Sequence, residues 1–442
     1  MEDNSKQKSY VIMIGIKEMR FALVLLVVLC VFCIIFQMKH SAWYTTGTQS
    51  REVIRASVEM SSESQHSAWN DTDIQSREII QAAVEISSVP QSGPPSDRKH
   101  ERAQRKLMVV YKPYQGRFQR QIREFNMTSC VSSNCDVYLM TGETRYPINA
   151  DAIIFQGNRI PPNVPNRSDN DQVYVFADTE PPHMAHSRNA VKMIHQRPDF
   201  YNWTLTYKPD SDIWTPYGMV IPSYVNKLSL LQDLQQGIVK RFENKRSDGL
   251  VNRNYDAIFN SKTKHALWFV SHCYTRSKRE TYVARMTTVT NVEIYGRCKG
   301  LRIKGNDAFD NAYKFYLAFE NTLCEDYITE KFFSWYSKDL IVVVRGGANY
   351  SKFVPEGTYI NAADFPSPEA LADFLNKLGS DKTRYLGYLK RKDHYHVITE
   401  QETVQNAFCA VCWRLNNLKQ FRNSQKTMSE WWFQSCHSPL DL

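Results

Sequence analysis

Apolar positions follow three patterns along this chain, and each predicts a different kind of element. Residues 21–36 read FALVLLVVLCVFCIIF, an unbroken apolar run that Gln37 and Met38 extend before Lys39. About 18 helical residues rise roughly 27 Å, enough to cross a thin secretory-pathway bilayer. The run exceeds an ordinary signal-peptide core and no A-x-A-like site follows it, which predicts an uncleaved anchor over 21–38 behind a short cytoplasmic tail at 1–20. Basic residues flank it on both sides, with Lys6, Lys8, Lys17 and Arg20 before and Lys39, Arg51 and Arg55 after, so charge alone sets the orientation weakly.

The second pattern is polar and repeated. HSAWYTTGTQSREVIRASVEMSSESQ at 40–65 recurs as HSAWNDTDIQSREIIQAAVEISSVPQ at 66–91. Two copies are too few to stack into a solenoid, and a composition rich in Ser, Gln, Glu and Thr buries little. A stem over 39–106 follows, closed by the turn-forming and charged stretch at 90–105. Ile79, Ile80, Ala83 and Val84 can share one helical face, so a self-associating stalk stands beside the plain spacer as an alternative.

From Leu107 short apolar runs alternate with helical stretches. LMVVYKP, CDVYLM, ADAIIFQG and QVYVFAD read as buried strands, and 225–242 reads as a helix. A second series begins at HALWFVS (265–271), continues with a helix over 279–288 and the strand NVEIYG, and repeats strand, helix, strand over 313–319, 329–337 and 340–344. The alternation predicts an α/β protein of two units, 107–250 and 251–405, joined near the polar stretch 243–256 and followed by a cysteine-containing segment at 406–442. Two such units imply a cleft between them, the usual place for a ligand.

Composition narrows the class. With 442 residues, 42% hydrophobic and 12% aromatic, and only 17 Gly and 18 Pro, the chain can bury more than one small core, which excludes global disorder and collagen. A net charge of +9 suits anionic ligands such as nucleotide phosphates, but no dense basic block or RNA-binding signature points to nucleic acid. Cys30 and Cys33 lie in the apolar run, and eight cysteines follow: Cys130, Cys135, Cys273, Cys298, Cys324, Cys409, Cys412 and Cys436. Five N-x-[ST] sequons, at Asn70, Asn126, Asn166, Asn202 and Asn349, also follow the run. Both features predict a type II topology with the bulk of the chain in an oxidising lumen. Cys409 and Cys412 could form a redox pair or half of a zinc site, but no second C-x-x-C completes a zinc set, so structural disulfides are expected.

The segment FYLAFENTLCEDYITEK (315–331) carries the most chemistry. It places Glu320 and Asn321 just past a strand and Glu330 and Lys331 at a helix start, where α/β folds hold phosphates. Lys331 can neutralise a leaving diphosphate, Asn321 can hydrogen-bond a ribose or sugar, and Glu330 can stabilise positive charge at a sugar carbon. A solvated pair of opposite charges on a surface helix accounts for the same spacing.

This segment resembles the signature of the α1,3-fucosyltransferase family (glycosyltransferase family 10), roughly FYLAFENS followed by DYITEK. WTLTYKPDSDI (203–213) with Pro216, Tyr217 and Gly218 is similar to the family's second motif. YGRC (295–298) resembles its F-G-R-C turn, FVPEGTYI (353–360) its F-x-P segment, and Cys409 to Cys412 its C-terminal C-x-x-C. The resemblance covers residues 107–412, with departures at His272, Lys299, Val342, Arg345 and Ala363.

The resemblance implies a GT-B fold: two Rossmann-like domains facing a cleft, acceptor on the first and GDP-fucose on the second, behind the transmembrane helix and stem. It implies an inverting reaction in which Glu180, within ADTEPPHM, takes the acceptor proton, with Asp178, His183 and His186 as competitors. A loop-capping role for Glu180 stays open. Arg279 and Lys331 would neutralise the departing diphosphate, while Arg276 and Lys278 are peripheral. Glu320, Asn321, Tyr327 and Glu330 would be donor contacts, with Tyr327 near the nucleotide and Glu330 near fucose; Tyr207 and Asp212 either shape the cleft or are structural. No D-x-D stands in a metal-nucleotide context, so no obligatory metal cofactor is expected, although Mn2+ or Mg2+ could stimulate. The implied protein is an invertebrate-like Golgi membrane enzyme that fucosylates N-acetylglucosamine of glycoprotein N-glycans, the innermost residue slightly favoured over Lewis-type antennae. A non-catalytic glycan-binding protein is the remaining alternative.

Overall fold

The computed structural model describes residues 105–111, 122, 124–141, 149–157, 167, 171–182, 200–238, 252–299, 309–421 and 428–442. The expected anchor at 21–38, the duplicated stem and the 243–251 part of the expected linker lie outside these residues. Among the described residues no helix is long and apolar enough to cross a membrane.

The first lobe is a parallel sheet of β1 (Lys106–Tyr111), β2 (Cys135–Met140), β3 (Ala152–Gln156), β4 (Val173–Asp178), β5 (Trp203–Thr206) and β6 (Ile213–Trp214). Its order is β2-β1-β3-β4-β5-β6. Then β7 (Gly218–Pro222) leaves this sheet, and α1 (Lys227–Gln235) and α2 (Tyr255–Ser261) lead to the second lobe. There β8 (Lys264–Phe269), β9 (Val292–Tyr295), β10 (Tyr313–Phe319), β12 (Ile341–Arg345) and β13 (Ile360–Asn361) form a second parallel sheet in the order β13-β12-β10-β8-β9. Counted along the chain, the first five strands of each lobe have the order 2-1-3-4-5, so both are doubly wound and switch direction between their first and third strands. The short β11 (Leu323–Cys324) instead pairs antiparallel with β15 (Cys436–His437) near the end of the chain.

Helices cover the sheets because alternate strand residues point to opposite faces. In β10, Phe315, Leu317 and Phe319 pack with α3 (Arg279–Met286), α5 (Pro368–Ser380) and α6 (Lys382–Lys392). Tyr316 and Ala318 face the other way, onto Phe332, Phe333 and Tyr336 of α4 (Glu330–Tyr336). That second face belongs to one apolar cluster that continues through Tyr207 and Tyr217 to Phe155, Tyr174 and Phe176 of the first sheet, so the lobes share a core. Gly218 marks a close approach between them: a Cβ there would lie 2.5 Å from the Phe333 ring.

The chain then returns to the first lobe. β14 (Tyr395–Thr399) pairs antiparallel with β7, and α7 (Glu400–Asn416) lays Val404, Ala407, Phe408 and Val411 against the far face of the first sheet. This helix starts ahead of residue 406, where the sequence suggested the final segment begins. Cys130–Cys409 and Cys135–Cys412 staple it to the first lobe, so Cys409 and Cys412 are neither bonded to each other nor a zinc half-site. Cys273–Cys298 joins the loops after β8 and β9, and Cys324–Cys436 ties down the tail.

Candidate active site

The switch point of the second sheet lies between β8 and β10, and Arg279 stands there. Its Nη1 donates to the Phe319 carbonyl at the end of β10 (2.7 Å) and Nη2 to the His272 carbonyl after β8 (3.4 Å), while its buried Nε has no partner. Burial pulls the guanidinium below its ordinary pKa, a penalty that an adjacent anion relieves. Arg276 and Lys278 point outward as exposed residues, as their peripheral assignment requires.

Glu320, one residue past β10, is fully buried. Its carboxylate accepts from the Thr329 amide (2.9 Å), the Thr329 hydroxyl (2.9 Å) and Lys331 Nζ (2.9 Å). Burial raises its pKa, opposed by the Lys331 charge. For Lys331, burial lowers the pKa but Glu320 and Glu330 together more than offset it, leaving the ammonium above the ordinary lysine value. Thr329 N-caps α4, so Glu320 anchors the turn that presents Glu330 and Lys331 rather than facing the cleft itself. Glu330 is half-buried with Oε1 3.7 Å from Lys331 Nζ, and Asn321 keeps a buried Oδ1 without a hydrogen-bond partner.

Glu180 comes from the first lobe, two residues past β4, and is exposed. The Tyr327 hydroxyl of the second lobe donates to its Oε2 (2.9 Å), and the Tyr217 hydroxyl to its Oε1 (3.3 Å). Asp178, by contrast, is buried; burial pushes its carboxyl up to about 8, and its Oδ1 accepts the Glu180 amide (2.9 Å). It is neutral at pH 7 and shapes the turn beneath Glu180. His183 and His186 lie outside the described residues.

The structure thus joins six of the seven sequence-derived residues through short links: Glu180 to Tyr327, then Thr329, Glu320, Glu330 and Lys331, then the Phe319 carbonyl to Arg279. Asn321 adjoins them, its carbonyl accepting the Ser277 amide (3.1 Å). Tyr327 meets Glu180 directly, a contact beyond the nucleotide neighbourhood expected of it. Asp212 is structural: its Oδ2 holds the Thr204 amide and hydroxyl in the β5–β6 turn. Tyr207 packs edge-on against Tyr327, with ring centroids 5.1 Å apart.

Two elements escaped the sequence reading. Tyr217 was visible only as part of the P-Y-G motif, with nothing to show where its hydroxyl points. Arg345, at the end of β12, is buried and makes a two-pronged pair with Asp441 (2.7 and 2.6 Å) while donating to the Ser277 carbonyl (2.9 Å). Ser277 in turn donates to the Glu320 carbonyl (2.6 Å), so the end of the chain braces the loop of Arg279. A cavity of about 1390 Å3 between the lobes, lined by Asp210, Trp214, Asp326, Phe353 and Arg391 among others, contains none of the seven residues.

Comparison with known proteins gives this arrangement its context. The model "Glycosyltransferase family 10 (fucosyltransferase) C-term" matches residues 259–431, and "Fucosyltransferase, N-terminal" matches 103–218. Alpha-(1,3)-fucosyltransferase C of Drosophila melanogaster is 35% identical over 317 residues, covering 70% of each chain. Glycoprotein 3-alpha-L-fucosyltransferase A of the same species is 32% identical over 319 residues, 70% of this chain but 56% of its own length. A solved α1,3-fucosyltransferase with GDP-fucose superposes with a TM-score of 0.44 at 17% identity, covering 78% of this chain and 98% of that one. The two family models span both lobes and the segments that carry Glu180, Arg279 and Lys331, and with the 35% identical relative they show that this chain belongs to glycosyltransferase family 10, the fucosyltransferases.

Proposed function

We propose that the chain transfers L-fucose from GDP-fucose in α1,3 linkage to N-acetylglucosamine of glycoprotein N-glycans, with inversion at the sugar carbon, on a GT-B framework. The observation that carries this reading is the meeting of the Glu180 carboxylate of one lobe with Tyr327 of the other, beside the switch point where Arg279 and Lys331 lie. Glu180 takes the proton of the acceptor hydroxyl as its oxygen attacks the anomeric carbon, and the bond to GDP breaks on the opposite face. Arg279 and Lys331 neutralise the charge gathering on the departing diphosphate; Glu330, on the same turn, stabilises positive charge at the sugar carbon. Asn321, Tyr327 and Glu330 contact the donor, and Glu320 acts through the turn that it anchors.

Fixed cations supply the neutralisation that a divalent ion gives elsewhere, so the reaction needs no obligatory metal cofactor, although Mn2+ or Mg2+ can stimulate it. Activity retained in excess chelator is the expected result, and complete loss reversed by added metal contradicts it. The apolar run at 21–38 and the four disulfides support a Golgi membrane protein of type II topology with the catalytic lobes lumenal. Among acceptors the innermost N-acetylglucosamine is favoured over Lewis-type antennae. A panel of defined N-glycan glycopeptides incubated with GDP-fucose and read by mass spectrometry tests the proposal: one added deoxyhexose on the innermost residue is expected. Addition only to antennae redirects the acceptor assignment, and GDP-fucose binding without turnover on any acceptor refutes transfer.

A further inference from the structure

Glu180 is held in an unusual way for an exposed carboxylate. Two buried phenols reach it from opposite lobes, Tyr217 at Oε1 and Tyr327 at Oε2. Their rings pack edge-on with centroids 6.0 Å apart, and Tyr207 supports Tyr327 from another side. Burial keeps both hydroxyls protonated, holding their pKa values well above the ordinary tyrosine range, so each can only donate to a neighbouring carboxylate at neutral pH. An unrestrained exposed glutamate samples several rotamers, so holding one of them needs partners such as these two hydroxyls. A carboxylate offers about four lone-pair sites, and two phenols occupy two of them. One site on each oxygen stays available to an incoming hydroxyl.

We propose that Tyr217 is a positioning residue for the transfer reaction: with Tyr327 it clamps the Glu180 carboxylate in the one orientation from which a free lone pair faces the acceptor. This rests on the reading of Glu180 as the base. The clamp has a further consequence, because its two jaws belong to different lobes. Tyr217 lies on the approach to β7 in the first lobe, whereas Tyr327 lies two residues before Thr329, whose side chain and amide Glu320 fixes. Order in the Glu330 and Lys331 turn is thereby transmitted to the base, and base alignment is complete only when that turn is in place. The Tyr217 hydroxyl bonds Glu180 and its ring packs on Tyr327, and neither Glu320 nor Lys331 hydrogen-bonds to it, so its effect belongs to turnover rather than to holding the nucleotide.

The test is Tyr217→Phe in the intact chain, which keeps the ring packing and removes one oxygen. The expected result is a fall in kcat of about tenfold, with KM for GDP-fucose and affinity for GDP within twofold of wild type and an unchanged melting temperature. The same substitution is then made in a Glu180→Asp background, where the shortened carboxylate is withdrawn from both phenols. There its effect should shrink below twofold, because a residue that acts through the base loses its influence once the base is displaced. Wild-type kcat in Tyr217→Phe, or an undiminished tenfold loss in the Glu180→Asp background, overturns the clamp. Glu180→Gln separates this from the underlying assignment: if it is inactive while Tyr217→Phe is fully active, only the clamp fails. Wild-type turnover in Glu180→Gln defeats the base and the clamp together.

Discussion

Glu320→Gln is the most informative single change in the second lobe. The carboxylate is 0% exposed and accepts from two groups of Thr329 and from Lys331 Nζ, each at 2.9 Å. Glutamine keeps the shape but offers one oxygen, so its amide nitrogen must face either Thr329 or the Lys331 ammonium, a donor against a donor. Removing one partner of a fully buried pair costs roughly 3–5 kcal/mol. Lys331 remains partly exposed and retains Glu330 and the Thr329 hydroxyl, which places the loss near the lower end, about 3 kcal/mol. For a domain this large, about 2–4 °C of melting temperature follows each kcal/mol, giving a drop on the order of 6–12 °C. Because the same bonds hold the N-terminus of α4, KM for GDP-fucose should rise alongside. Thermal melting at pH 7 and donor titration of the purified protein read both quantities. A melting temperature within 1–2 °C of wild type, together with an unaltered donor KM, would refute the role given to Glu320.

Other expectations follow from the same geometry. Asp178 carries a carboxyl raised from 3.8 to about 8, so the native state keeps a proton that the unfolded chain releases between those values; its contribution to stability is full below pH 4 and declines as pH rises toward 8. Asp178→Asn should therefore gain stability over wild type between pH 5 and 7.5, by up to about 1.4 kcal/mol per pH unit, and parallel pH-stability curves would contradict this. Asp441→Asn leaves the buried Arg345 with half of its pair and should cost about 2 kcal/mol while raising KM for GDP-fucose through Ser277; an unaffected KM would separate the tail from the donor loop. Replacing Cys130 and Cys409 together by serine frees one of the two staples of α7 and should cost about 2–5 kcal/mol by denaturant melting, with equal stability counting against the linkage.

How far the sequence could be read depended on whether a signal was local. Strands β1, β3, β4, β8, β10 and β12 show as apolar runs because they lie within parallel sheets covered on both faces, whereas the edge strand β2, also expected to be buried, exposes Asp136 and Tyr138. Helix ends were legible to within a residue or two where the cap is local: the stretch expected at 329–337 forms Glu330–Tyr336, with Thr329 and Ser337 as its caps. The helix expected over 225–242 instead ends at Gln235, because Gly237 takes a positive φ of 77° and closes the turn. Residues 400–416 gave no clean amphipathic stripe, since the helix is buried on most sides, against the first sheet and under two disulfides. The candidate site divides in the same way. Its residue types came from the motifs, whereas the Tyr217 contact, the Arg345–Asp441 brace and the cysteine pairing join positions 25 to 279 residues apart and exist only in three dimensions.

The central claim is that a carboxylate of the first lobe acts as base opposite cations of the second. Turnover and GDP affinity of Glu180→Gln, measured on the same preparation, test it most directly. The account predicts a loss of kcat of about 10²–10⁴-fold with GDP affinity within twofold of wild type. Turnover within twofold of wild type, or a loss of GDP affinity large enough to explain the lost rate, would contradict it.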